Sequence, residues 1–333
     1  MPSTLRQLQE DWNLLVPAAQ ARGFRRVRLI PSTRLESIAS RRAKLEWLRS
    51  QLNLVGSFDG LSFGVEIECY RPARMTLGQL AALVASAGVP CQEERYGHSV
   101  PSGRWKVTTD GSLGYALGAE VVSPPLRGEA GFEQLQKVMR ALTDARCTVN
   151  KQCGFHVHVG VAAEGVDFFK NLVVLYTSAE RAIDSFMAPS RRGSSNPYIQ
   201  PLQVDEVQLA AATTVDQVAA ACGVTPRNSR DTTRYRKLNL QSFWAYSTVE
   251  FRQHQGTVDA DKATNWVRLC LRMVLAARAG GKKVTTVDEL MAEVKATDSE
   301  AAFFKSRVAY FGRSGENFTS YSDRVMAGGR NWR

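Results

Sequence analysis

At 333 residues the chain holds one large domain or two ordinary ones, and a 44% hydrophobic content is enough for a sizeable core. Basic residues outnumber acidic ones by 43 to 32, a net charge of +11, which favours a polyanionic or phosphate-bearing partner. No apolar run reaches membrane-spanning length, since Lys170, Arg268 and Arg272 interrupt the best candidates, and Met1 to Trp12 carries no apolar signal core. The expectation is a cytoplasmic protein with no membrane partner.

Six cysteines, at 69, 91, 147, 153, 222 and 270, include no C-x-x-C pair. They read as reduced, mostly buried thiols rather than a disulfide frame or a zinc cluster. Leu5, Leu8, Trp12, Leu15 and Val16 recur at helical spacing over residues 4–22, and Leu35, Ile38, Leu45, Leu48 and Leu52 do so from about 33 to 54. Between them the basic stretch 24–30 reads as a strand or part of a turn. Residues 1–60 carry ten basic and five acidic side chains. The arm 1–55 is therefore either a helical brace with a solvated basic face, the favoured reading, or a surface for nucleic acid or another acidic partner.

After a loop at 56–60, residues 63–69 alternate apolar Phe63, Val65, Ile67 and Cys69 with Gly64, Glu66 and Glu68, a strand pattern. A helix capped by Thr76 is expected to Ala87, ended by Gly88. Trp105 to Thr109 reads as a strand running into Asp110-Gly111, a hairpin signal, with a return strand from Ala119 to Ser123 stopped by Pro124-Pro125. Further expectations are a helix over 133–145, a strand over 153–159, a long helix over 167–186 and a Ser/Arg/Gly/Pro loop over 189–201. A short helix over 215–222, strands over 235–244 and 247–253, and helices over 261–279 and 287–295 follow, with a polar tail to Arg333.

The strands carry their chemistry in pairs two residues apart, and such pairs share a face. Glu66 and Glu68 stand roughly 7 Å apart on one side of their strand by this geometry. His156 and His158 form a second pair, Glu250 and Arg252 a third, and Glu120 adds a carboxylate inside an otherwise apolar strand. Taken singly, each is either a solvated edge, a structural histidine or a ligand. Together, carboxylates and imidazoles on the polar faces of four strands point to divalent metal, since hard cations take carboxylate oxygens.

These residues match a known pattern. Phe-Gly-x-Glu-x-Glu at 63–68, Asp110-Gly111-Ser112, Glu120-Val-Val-Ser-Pro124, Gly154-Phe-His-Val-His158, Arg234-Tyr-Arg-Lys-Leu-Asn239, and Thr248-Val-Glu-Phe-Arg252 followed by Gly256-Thr257 resemble the amidoligases. These are distant relatives of glutamine synthetase and glutamate–cysteine ligase. The resemblance spans roughly residues 60–280. It implies an α+β fold with a glutamine synthetase-like curved antiparallel sheet, helices on its outer face and the helical arm added. The division it suggests is an arm at 1–55, a catalytic domain at 56–280 and a C-terminal helical extension and tail at 281–333.

The resemblance also implies an ATP-dependent carboxylate–amine ligase, forming an amide or isopeptide bond through an acyl phosphate, with ATP and Mg²⁺ or Mn²⁺ as cofactors. Glu66 and Glu68 would bind different ions, Glu120 would join one, and His156 with Glu250 the other. His158 would support the cofactor site beside them, and Arg252 would face the γ-phosphate. Arg236 and Asn239 match positions that hold phosphate or substrate carboxylate, and Arg192, Asn196 and Tyr198 match a substrate-side loop. Asp110 either positions the amine or serves only as a hairpin Asp. The substrates would be small-molecule or peptide acids and amines, in a phage or bacterial setting; neither they nor an oligomeric state can be carried over. Two alternatives stand: a guanidino-type phosphotransferase on the same sheet, and a basic binding protein with a decayed ligase core.

Overall fold

The computed structural model describes residues 58–313 except 98, 114, 115, 229 and 230, together with fourteen scattered positions between 8 and 48. One mixed sheet organises the body. Its strands are β1 (Ser62–Tyr70), β2 (Cys91–Glu93), β3 (Trp105–Thr108), β4 (Gly118–Val122), β5 (Leu126–Arg127), β6 (Phe155–Gly160), β7 (Leu238–Asn239) and β8 (Thr248–Phe251). They run in the order β2-β3-β4-β1-β6-β8-β7, with the short β5 also pairing β1. Every pairing is antiparallel except β2 with β3 at the edge, so the sheet is mixed rather than wholly antiparallel.

Alternation makes the two faces different. Phe63, Val65, Ile67, Val121, Phe155, Val157, Val159, Val249 and Phe251 are all at most 2% exposed and share one apolar core. Helices α1 (Leu77–Ser86), α2 (Gly128–Asp144), α3 (Val166–Ser185) and α7 (Ala260–Arg278) contribute to that core. Between the last two lie the short helices α4 (Glu206–Ala211), α5 (Val215–Ala221) and α6 (Ser242–Tyr246). The apolar face is thus sealed and the polar face is left for the site. Thr76 caps α1 through a full capping box with Gln79, as its position before the apolar run suggests.

Several expectations are corrected. The stretch 235–244 is not one strand: β7 covers only two residues, and α6 follows. Ser242 Oγ donates within this turn, lying 3.0 Å from Asn239 O and 2.8 Å from Thr248 O, and Ser247 takes a left-handed φ of 57° to close it. The Asp110-Gly111 turn is a longer connection containing a 3-10 turn at Gly111–Leu113, although β3 and β4 do pair antiparallel. α2 starts at Gly128, earlier than residue 133, and β2 and α4 are additional elements.

The helix expected over 287–295 is present, and the expected polar tail begins with one further helix. α8 (Val287–Glu293) is followed by α9 (Asp298–Arg313), and Leu290, Met291, Val294 and Phe304 join the main core. Residues 314–333 and the basic stretch 24–30 lie outside the described residues. The described positions of the arm are helical almost throughout. Leu8, Trp12, Leu15, Val16, Ala19, Leu45 and Leu48 form a separate apolar cluster that meets the body at Ala162 and Ala163. The six cysteines are free and all but Cys91 are buried.

A buried ionic network ties the sheet's edge to α3. Lys237, 0% exposed, donates from Nζ to Glu180 Oε1 at 2.7 Å and Asp184 Oδ1 at 2.8 Å. Asp184 also accepts from Gln253 Nε2 and from the Gly193 backbone at 3.0 Å, and Tyr176 Oη donates to Gln253 Oε1 at 2.6 Å. Removing one member strands the rest. Lys237→Met is expected to destabilise the chain by about 3–5 kcal/mol in urea unfolding, the usual cost of breaking a buried pair. Adding Asp184→Asn should recover part of that loss, and a purely additive double variant would contradict the network.

Candidate active site

Strand register explains which side chains meet on the polar face. Glu66 lies opposite His156, Glu68 opposite Glu120, and His158 opposite Glu250, so residues distant in sequence fall into adjacent rows. Two groups of ligand atoms result, each with all members within 4.8 Å of one another: Glu66, His158 and Glu250, and Glu68, Asp110 and Glu120. His156 sits between them, its Nδ1 3.0 Å from Glu66 Oε2 and 3.6 Å from Glu250 Oε1, its Nε2 3.7 Å from Glu68 Oε1.

His158 joins Glu66 and Glu250 in the first group, and His156 lies against the same two carboxylates as well as Glu68. His158 Nε2 is 3.3 Å from Glu66 Oε1 and 3.8 Å from Glu250 Oε1, while Nδ1 lies 2.9 Å from Thr248 Oγ1. A hydrogen bond at one ring nitrogen, with the other directed at carboxylates, is the arrangement that fixes an imidazole as a ligand. Asp110 makes the turn contacts expected of a hairpin Asp. Its Oδ1 accepts from the Ser112 backbone at 2.6 Å and from the Ser112 hydroxyl, and its carboxylate also completes the second group.

The electrostatics of the two groups differ. Burial raises the Glu66 carboxyl, but hydrogen bonds from His156 and His158 outweigh it and hold the group well below its ordinary value. Burial likewise opposes charge on Glu250, and Arg252 and His158 bring its pKa below the usual range. His158 is raised against burial by Glu250 and Glu66, and Arg252 is raised in the same way by Glu250, Glu66 and Glu68. For Glu120 the balance runs the other way. Burial, then the charges of Glu66, Asp110 and Glu68, push its pKa well up, and Lys106 pulls the other way without offsetting them.

All these side chains face one cavity of about 1100 Å³. The remaining candidates divide. Asn239 lines it and donates from Nδ2 to Glu250 Oε2 at 2.6 Å, so it orients a carboxylate. Arg252 lines it, paired to Glu250 and lying over the Tyr235 ring at 5.9 Å. Asn196 and Tyr198 are in its wall; Asn196 Nδ2 donates to Ser190 O at 3.1 Å and Tyr198 packs edge-on against Tyr235.

Arg236 and Arg192 are not brought to the cavity. Arg236 donates to Pro201 O and Gly223 O and borders a smaller adjoining hollow. Arg192 is buried, donating from Nε to Met187 O. Their neighbours take those places: Arg191 and Arg234 line the cavity, with Lys106, Gln241, Tyr96 and Tyr246. A 3-10 turn at Pro189–Arg191 and another at Thr232–Arg234 set these directions, and neither turn has a periodicity visible in the sequence.

One glycine is required here. A Cβ on Gly154 would stand 2.5 Å from His156 Nε2 and 2.7 Å from an Arg191 nitrogen, and the Gly154 N–H donates to Glu68 Oε2 at 2.6 Å. The close approach of backbone to both side chains explains the glycine that opens the Gly-x-His-x-His run.

A sequence profile of the family described as "Putative amidoligase enzyme" matches residues 59–274. The chain belongs to the amidoligase family. The matched segment contains every member of both ligand groups, Arg191, Arg252 and the buried Lys237 network. No curated protein matches the chain. One similar solved structure is described as "Crystal structure of novel glutamine synthase homolog"; it is 12% identical, with 85% of this chain and 70% of that chain covered, at a TM-score of 0.37. Among the described residues, no helix is long and apolar enough to cross a membrane.

The donor sets of this amidoligase fit hard divalent ions. The all-carboxylate group suits Mg²⁺ or Mn²⁺, and the group with one imidazole suits Mn²⁺ as well. Without a cation Glu120 is a buried carboxyl among like charges, which oppose its ionisation. Glu120→Gln is therefore expected to raise the melting temperature in chelator at neutral pH by about 2–4 °C, the shift that about 1 kcal/mol makes in a large domain. The sign follows from a carboxyl whose folded-state pKa is raised: its charge destabilises the fold above its ordinary range. The same variant should gain less than the wild type from added Mn²⁺. A lower melting temperature in chelator would show that Glu120 is held by protein contacts alone.

Proposed function

We propose that this amidoligase condenses a carboxylate with an amine at the expense of ATP. The observation that carries this reading is the placement of two carboxylate-rich groups and the guanidinium groups of Arg191, Arg234 and Arg252 on the wall of one cavity. A cavity that is strongly acidic at its floor and basic at its wall suits a polyanion held through metal, with its outer oxygens met by arginine. Glu66, His158 and Glu250 would hold one divalent ion, and Glu68 with Glu120 the other, beside Asp110. Such ions would supply neutralising charge to a bound triphosphate.

The chain's own residues then have definite tasks. Arg252, fixed by Glu250 and by the Tyr235 ring, presents a planar fork toward the phosphoryl group being transferred. Asn239 holds the Glu250 carboxylate, and Thr248 holds the His158 ring. His156 keeps Glu66 charged from between the two groups. In the reaction, the substrate carboxylate takes the γ-phosphoryl group and ADP leaves. The amine nitrogen then attacks the acyl carbon, phosphate departs, and the amine gives up a proton. Asp110, beside Glu120 at the same wall, is the candidate acceptor of that proton. The reaction would occur in a cytoplasmic setting on small-molecule or peptide substrates.

Mass spectrometry of a cell extract incubated with protein, ATP and Mg²⁺ tests this directly. A new species equal to an acid plus an amine less water, formed together with ADP and phosphate, is the expected product. A phosphorylated guanidine would instead assign the guanidino-type phosphotransferase, and no product with unchanged ATP would assign a binding protein. Arg252→Lys should lower turnover by roughly 10²–10³ with the metal requirement unchanged, the scale of losing one donor to developing charge. Glu250→Gln should raise the metal concentration for half-activity. Equal metal dependence in the two variants would contradict their separate roles.

A further inference from the structure

We infer that α9, which lies beyond the matched amidoligase segment, is the clasp that holds one wall of the cavity, and that Phe311 and Arg192 are its positioning residues. The wall is the loop after α3. Ser190, Arg191 and residues 195–198 of that loop line the cavity, whereas Arg192 turns away from it. The Arg192 guanidinium lies 5.0 Å from the centre of the Phe311 ring, and its Nε donates to Met187 O at 2.8 Å. Phe311 is 3% exposed, and a second guanidinium, from Arg307, stands 4.7 Å from the same ring. A cation over an aromatic face is attracted by the ring quadrupole, the more so when water is excluded.

The loop has a second anchor on the opposite side. Gly193, at φ 57°, donates its N–H to Asp184 Oδ2, the carboxylate that also takes the buried Lys237. Arg192 and Gly193 are consecutive, so the loop is gripped from α9 and from α3 at adjacent residues. Beyond the grip it is built on itself: Asn196 Nδ2 reaches Ser190 O, the Tyr198 N–H reaches Asn196 Oδ1, and Gln200 Nε2 reaches Ser194 O. Arg191 is tied separately to Gln253 O and Arg252 O, so releasing Arg192 loosens the segment that follows it, which carries the lining residues 195–198. Phe186 against Phe304, 4.8 Å between ring centres, fixes α9 to the start of the same loop. That the wall holds substrate rests on the ligase reading; the clasp itself does not.

The test is hydrogen–deuterium exchange of the full chain carrying Phe311→Ala, Phe311→Leu or Phe311→Tyr. Phe311→Ala is expected to speed exchange of the Gly193 and Tyr198 amides by about tenfold or more, the effect of losing a desolvated cation–ring contact. Amides of β1, β6 and β8 should keep wild-type protection. Phe311→Tyr, which retains the ring face, should behave as wild type, and Phe311→Leu, which retains only bulk, should behave as alanine. Arg192→Met should reproduce Phe311→Ala from the other side of the contact, which keeps the test open if Phe311→Ala does not fold. Unchanged loop exchange, equal loss across the strands, or full rescue by leucine would each overturn the clasp.

With the condensation partner identified by mass spectrometry, Phe311→Ala should raise that partner's KM by about fivefold or more while Mg·ATP affinity stays within about twofold, as expected when a substrate-positioning wall is displaced and the metal groups are not. A lower kcat with unchanged KM would overturn the positioning role. Absence of Mg·ATP binding to the wild-type chain, measured by calorimetry, would remove the ligase reading and leave the exchange result to decide the clasp.

Discussion

Five carboxylates, from Glu66, Glu68, Asp110, Glu120 and Glu250, converge on one face of a sheet whose other face is sealed by helices. Charge of one sign cannot be gathered in this way without compensation. Part of it is built in. His156 and His158 keep Glu66 ionised, and Arg252 with His158 does so for Glu250. Glu120, pushed up by its acidic neighbours, is the uncompensated remainder. The sheet register that sets Glu68 opposite Glu120 creates this imbalance, and on the proposed reading divalent ions remove it.

The supports of the site are arranged in layers behind that face. Asn239 and Thr248 hold Glu250 and His158 by single hydrogen bonds. Lys237, Asp184, Gln253 and Tyr176 link the strand edge to α3, so that the backbone carrying Arg252 is fixed from beneath; the Arg252 N–H itself donates to Lys237 O at 2.8 Å. Arg191 adds a further tie, donating to Gln253 O and Arg252 O. Ligand geometry in such a site depends on groups that touch no substrate, and a polar network of this kind holds only when its members are all satisfied.

Much of the site was legible in the sequence because strands report their faces through a period of two. Alternation marks β1, β6 and β8, and with them the shared faces of Glu66, Glu68, His156, His158, Glu250 and Arg252. What alternation cannot supply is register between strands, and register sets Glu66 opposite His156 and Glu250 opposite His158. Irregular backbone was opaque for a related reason. Arg191 and Arg192 are equivalent in sequence, yet a 3-10 turn sends one to the cavity and the other under Phe311. Arg234 and Arg236 differ in the same way. The run 235–244 reads as a strand in sequence, with Leu238 and Leu240 two apart, but local hydrogen bonds from Ser242 favour a turn and short helix. α9 is not legible because its helical spacing is diluted by a polar surface: among its described residues Glu300, Phe304 and Phe311 are buried, and Ala301, Phe303 and Val308 are partly so.

The measurement closest to the central claim is the stoichiometry of Mn²⁺ binding, followed by electron paramagnetic resonance of the free ion. The account predicts two ions per chain in the wild type, with one lost selectively in Glu120→Gln and the other in Glu250→Gln, each variant remaining folded by circular dichroism. Spin coupling between the two bound ions should vanish in either variant. No bound Mn²⁺ in a folded wild-type chain, or loss of both ions together with the fold in each variant, would contradict it: the five carboxylates would then be balanced by histidine and arginine alone, and the cavity would not be a metal-dependent site.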